Sequence, residues 1–410
     1  MKRFFLLLFV VLGVVLTSCG KTSLPKLSSY SDEYLPDQDF NPASFGSLTH
    51  SVTVLDDTIY FIAGHYLFYY DSDIEEARPL CFKADCLHNR EPDQAKRPEC
   101  DAFVASGTNC FLGTTNDFLI FTCLNQKTQQ IDLVSSNKDG SRRRTLIQNL
   151  GRIEYCCIHR GIFFFVQEKR NLDGKSEVSL FAYSLLRNRN EPYEILKYTD
   201  RSNISDLLPL NTRLFLNRSK NAGTETEEYE VLQYDLRTGV ISNVPLDSEL
   251  ISGAFENALV YQSGQDVYSE YDLHTGTVTE CGWLSRYMEE SHPGWWCILK
   301  SLQRDIAFFD CLDENFELVY EQSVVNGEGK EVCVLPGLAH NFLSSNEIIR
   351  FQGEDYYFSG GLMDPFTIQI FAVDDLLNSK VEPKILLQVD NYQEELSPAY
   401  ILPWDGIVPE

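Results

Sequence analysis

From about residue 50 onward the chain alternates short apolar and aromatic runs with polar turns, and helical patterning of useful length is missing. One kind of reversal joins a short apolar strand to an aromatic-rich one through a polar turn: Asp56-Asp57 before Ile59 to Ile62, Thr115-Asn116-Asp117 before Phe118 to Phe121, and Glu256-Asn257 before Leu259 to Tyr261. A second kind is written twice as near-copies, Tyr234-Asp235-Leu236-Arg237-Thr238-Gly239-Val240 and Tyr271-Asp272-Leu273-His274-Thr275-Gly276-Thr277. In each, the Asp can accept hydrogen bonds from backbone donors of the turn, and the Gly takes the positive φ of a tight reversal between twisted strands. Degenerate forms recur at Tyr70-Asp71-Ser72-Asp73, Asn137-Lys138-Asp139-Gly140, Tyr183-Ser184-Leu185, Asn326-Gly327-Glu328-Gly329 and Val373-Asp374-Asp375. Taken together, the two reversals give a period of roughly 40 to 50 residues holding four antiparallel strands.

A four-stranded sheet of this kind cannot cover both its faces alone, and stacking copies in a ring covers them. The pattern therefore predicts an all-β fold, a single β-propeller over residues 47–410, with seven four-stranded blades beginning near residues 50, 107, 152, 205, 250, 294 and 346. Six or eight blades fit the same spacing. A sandwich would also use turn-bounded strands but has no four-strand period. The segments before residue 50 and after Asp390 are candidates to lend a strand that closes the ring, with Ala399-Tyr400-Ile401-Leu402 apolar enough to do so.

Composition agrees with one large core or two smaller ones, at 43% hydrophobic and 12% aromatic residues; the repeats favour one domain. The N-terminus has a different character. Lys2 and Arg3 precede a 13-residue apolar run, Phe4 to Leu16, too short for the ~20 residues of a spanning helix. The sequence Leu16-Thr17-Ser18-Cys19 that ends it resembles the lipobox of bacterial lipoproteins. That resemblance implies a signal peptide at residues 1–18, a diacylglycerol on Cys19, and a chain held by lipid at the extracytoplasmic face of the cell membrane. Lys21 to Gly46, rich in Ser, Pro and Asp, reads as part of a flexible tether over residues 19–46. Without residues 1–18, 32 Lys plus Arg face 60 Asp plus Glu, a net charge of −28 (32 − 60). Such a surface repels phosphate backbones, so no nucleic acid is expected as a partner.

The one local cluster with chemistry is Cys81-x4-Cys86-x-His88-x11-Cys100, in the connection between the first and second units. Three thiolates and an imidazole suit a closed tetrahedral zinc site of structural type. Outside the cytoplasm a disulfide from Cys81 or Cys86 to Cys100 is the competitor, and the spacing, unlike that of a paired zinc knuckle, favours the disulfide or plain thiols over the metal. Elsewhere Cys110 with Cys123, and Cys297 with Cys311, can face each other across hairpins, while Cys156 and Cys157 point to opposite faces of one strand.

The connection from Trp283 to Trp296 is the candidate ligand surface. It gathers Trp283, Tyr287, His292, Trp295 and Trp296 beside Glu289 and Glu290, a mix that stacks on sugar rings or peptide side chains, although the same aromatics can wedge adjacent sheets. No linear metalloprotease, nucleophile-elbow, phosphate-loop or EF-hand motif occurs. Lipobox, repeats and cysteine cluster together resemble a group of poorly characterised bacterial β-propeller lipoproteins. The repeats are also similar to those of TolB-like and quinoprotein-like propellers, which implies a platform for docking proteins or binding ligands. The leading expectation is thus a binding or scaffold module for a protein, peptide or glycan. A polysaccharide hydrolase or lyase with its site at the channel, and a structural subunit of an envelope complex, are the alternatives.

Overall fold

A computed structural model describes residues 32–35 and, with short interruptions, residues 51–396. Seven four-stranded antiparallel sheets account for its strands, and in each the spatial order is the sequence order. The chain is a seven-bladed β-propeller. Blades 1 to 7 occupy residues 52–79, 112–147, 153–198, 203–243, 251–280, 296–336 and 347–389. These starts lie within a few residues of those expected, because the turns that bound the strands carry strong local signals.

The turns behave as their residues dictate. Asp235 Oδ1 accepts the backbone N–H groups of Arg237 (2.8 Å) and Thr238 (3.0 Å), and Asp272 Oδ1 those of His274 (2.9 Å) and Thr275 (2.7 Å). Gly239 and Gly276 close these reversals at φ of 72° and 68°. In the other reversal Asp56 and Glu256 take the left-handed conformation, at φ of 53° and 51°, as hairpins twisted to the right require.

Among the described residues the buried apolar side chains gather in seven clusters, one centred on each seam between neighbouring blades. Alternation along every strand is the cause: Cys156 faces the seam of blades 2 and 3, while its neighbour Cys157 faces the seam of blades 3 and 4. Between blades 6 and 7, Phe308 stacks on Tyr357 with ring centroids 3.8 Å apart, and Gln322 joins Tyr357 to the buried Asp310. The seventh seam packs Phe61 of blade 1 against Phe358 of blade 7 at 6.1 Å.

Blades 1 and 7 each hold four consecutive strands; residues 36–50 and Ala399 to Leu402, candidates to lend a further strand, lie outside the described residues. Two expectations need correction. Helices are present: Gly282–Ser291 follows blade 5, and Val373–Leu377 replaces a tight turn in blade 7, where Val373 and Leu376 bury themselves in the seam with blade 6. Finally, residues 32–35, assigned to the tether, dock on the ring. Thr212 donates to Asp32 Oδ1 at 2.5 Å, Arg237 and Arg213 approach Asp32 Oδ2 at 3.3 and 3.6 Å, and Tyr34 packs on the seam of blades 4 and 5.

Candidate metal centre and candidate binding surface

The connection from blade 1 to blade 2 folds through two single-turn 3-10 helices, His88–Arg90 and Arg97–Glu99. Cys81 stands just after the last strand of blade 1, and the backbone N–H of Cys86 bonds back to the carbonyl of Lys83 at 3.2 Å. That turn brings two thiols round one side. Cys100 ends the second helical turn, its N–H on the carbonyl of Arg97 at 3.0 Å. His88 completes the set at a φ of 55°, a conformation uncommon for a residue with a side chain.

The ligand atoms of Cys81, Cys86, His88 and Cys100 all lie within 4.8 Å of one another. Zn–S bonds of about 2.3 Å and Zn–N bonds of about 2.05 Å in a tetrahedron imply S···S edges of about 3.8 Å and S···N edges of about 3.6 Å. The Cys100 Sγ to His88 Nδ1 separation is 3.6 Å. Cys81 and Cys100 are buried, whereas Cys86 and His88 are half-buried. Burial tends to raise the Cys81 thiol, but backbone donors of Lys83 and Asp101 and the neighbouring thiols outweigh it and bring it below the ordinary cysteine value. Burial pushes Cys100 well up and His88 down. All three cysteines are free thiols, as are the other described cysteines. The four sequence-predicted ligands therefore meet at one point. Three soft sulfurs and one imidazole, with no carboxylate among them, match zinc better than a hard cation.

This loop is tied to the far end of the chain, which sequence reasoning missed. The helical turn Tyr392–Glu395 follows blade 7, and the Tyr392 ring packs at a tilt on that of Phe366 with centroids 4.6 Å apart. Leu396 is fully buried at the seam of blades 7 and 1, and its carbonyl accepts the N–H of His65 at 2.8 Å. From the loop, Arg97 donates to the carbonyls of Glu91 (2.8 Å) and Glu394 (2.6 Å), and Asn89 donates to Glu395 Oε2 at 3.4 Å. The sequence offers no signal of this, because Arg97 reads there as one more charged residue in a polar loop and its burial emerges only in the structure.

The aromatic surface comes out differently. Trp283 and Tyr287 fall on the helix Gly282–Ser291, with Leu284, Tyr287 and Met288 turned into the seam of blades 5 and 6. Tyr287 is 0% exposed; its ring lies 4.8 Å from that of Phe309, and its hydroxyl is 3.5 Å from Cys311 Sγ. A side chain with no exposed surface packs the ring and offers a ligand nothing to stack on, and Trp283 is half-buried against the same seam. Trp296 begins blade 6, while His292 and Trp295 lie outside the described residues, as does Cys19. Cys297 and Cys311 do face each other across their hairpin, with Sγ atoms 2.8 Å apart.

No family model matches the sequence, and no curated protein matches it. Among solved structures the chain is similar to a puromycin hydrolase mutant complexed with PGG, with a TM-score of 0.51 at 12% identity over 88% of this chain and 57% of that one. The β-propeller domain of the Trilobed protease from Pyrococcus furiosus, described as having an open velcro topology, is similar with a TM-score of 0.46 at 8% identity over 84% of this chain and 99% of that domain. The chain thus spans a little over half the length of the hydrolase, and at such identities the likeness is one of fold.

Proposed function

We propose that the protein is a lipid-anchored, extracytoplasmic β-propeller that docks a protein, peptide or glycan on the end of its ring facing away from the membrane. The observation that carries this reading is the docking of Asp32 to Leu35. Thr212 and Arg213 belong to the reversal between the first two strands of blade 4, and Arg237 to the reversal between its last two. In an antiparallel blade those two reversals lie at the same end. Cys19 precedes Asp32 by 13 residues, a reach of at most about 45 Å when fully extended. A lipid on Cys19 would hold that end toward the bilayer and leave the opposite end, with the connections between blades, open to partners.

Two measurements test it on the full chain. Metabolic labelling with a clickable fatty acid should mark the wild type, and Cys19→Ala should abolish the label and release the protein from membranes. In a melting screen against glycan and peptide panels, a hit should raise Tm saturably and leave the ligand chemically unchanged. Conversion of the hit to product would instead favour the hydrolase or lyase reading.

A further inference from the structure

Among the described residues the first and last blades share no strand, so other contacts between these residues hold the last seam. Here the two segments flanking that seam are the loop bearing Cys81, Cys86, His88 and Cys100, and the turn Tyr392–Glu395 with Leu396. We propose that these four residues bind one zinc ion, and that the metal-held loop clasps the C-terminal segment and locks blade 7 to blade 1.

Two independent sets of observations carry this. The first is the ligand geometry: four donor atoms within 4.8 Å of each other, one separation already at the tetrahedral S···N edge, and only soft donors. Binding exchanges hydrated zinc for coordinated zinc; the three thiols release three protons to solvent, and the His88 ring binds as the neutral imidazole. The second is the path of force out of the site. Arg97, three residues before Cys100, grips the carbonyl of Glu394, and Asn89, next to His88, reaches Glu395. The stretch after Cys100 then pairs with blade 1, Leu67 N–H donating to Ala102 O at 2.8 Å and Val104 N–H to His65 O at 2.8 Å. The N–H of that same His65 holds Leu396. Loop, first blade and tail are therefore one hydrogen-bonded unit around the ligand set, and fixing the loop fixes the tail.

The test uses the full chain purified without metal-chelating steps. Elemental analysis should give one zinc per chain, and reconstitution with cobalt(II) should give a thiolate-to-cobalt charge-transfer band with tetrahedral d–d intensity. Stripping the metal should lower Tm by more than about 5 °C. It should also speed hydrogen exchange at the His65 amide and at residues 391–396 at least tenfold more than at the seam of blades 3 and 4. Cys86→Ser with His88→Ala, at the two half-buried positions, should lose the cobalt band; if that variant does not fold, the stripped wild type decides alone. A disulfide between any two of these cysteines in the unreduced protein, or a chain with free thiols that takes up neither zinc nor cobalt, overturns the metal site. Metal removal that speeds exchange at His65 and 391–396 no more than at the seam of blades 3 and 4 overturns the clasp.

Discussion

At the scale of single residues, the turn carboxylates show how a short motif becomes stability. Asp272 is held below the ordinary aspartate range chiefly by the backbone N–H and hydroxyl of Thr275, and Asp235 likewise by Thr238 and Arg237, which outweigh its partial burial. A carboxyl with a depressed folded-state pKa stabilises above its unfolded pKa, and that contribution is lost as pH falls through the folded value. Asp272→Asn should therefore melt below the wild type at neutral pH, and the gap should narrow below pH about 4, as Tm measured across pH will check. The glycines differ in kind. At Gly276 an added Cβ would meet nothing closer than 3.6 Å, so Gly276→Ala should cost only the left-handed strain of about 1 kcal/mol. At Gly64 (φ 58°) the same Cβ would sit 2.3 Å from the carbonyl oxygen of Leu396, so Gly64→Ala should cost clearly more by denaturant titration and loosen the tail. The conformational need of Gly276 is legible from Tyr-Asp-Leu-x-Thr-Gly, whereas that of Gly64 depends on a residue more than 300 positions away.

At the scale of elements, strands were readable and helices were not. Period-two alternation repeated through seven sheets is reinforced at every turn, so each blade announces itself several times over. The helix Gly282–Ser291 spans under three turns, and its apolar residues Leu284, Tyr287 and Met288 offer a single instance of helical spacing. Its capture by the seam of blades 5 and 6 is a tertiary fact, which is why Tyr287 reads from sequence as a surface aromatic. Tyr287→Ala should cost about 3 kcal/mol or more in unfolding free energy, as expected for deleting a fully buried aromatic. Exposed Glu289→Ala should leave it within about 0.5 kcal/mol. Likewise the ligand set Cys81, Cys86, His88 and Cys100 was visible as residue types at close spacing. Its convergence, which the spacing alone did not favour over a disulfide, comes from two helical turns and the pairing of residues 102–104 with blade 1.

At the scale of the whole molecule, burial is divided among seven seams, so no blade has a core of its own. Unfolding by heat should accordingly be cooperative, with the same midpoint by near-UV and far-UV circular dichroism. The docking of residues 32–35 on blade 4 depends on a smaller contact. Asp32 meets Thr212, Arg213 and Arg237 near the surface, where each ion pair is worth about 0.2–1 kcal/mol. Asp32→Ala should thus leave Tm within about 2 °C while making the segment around residue 32 more sensitive to limited proteolysis.

Because each blade is drawn from one continuous stretch of chain, six of the seven seams join neighbours in sequence, and those can knit in order while the polypeptide is still being synthesised. The seventh closes only after blade 7 has been made through Val389, and Leu396 then seats on the His65 amide. A stop codon just before Leu396 would leave all seven sheets encoded, and the truncated chain should melt below the full one.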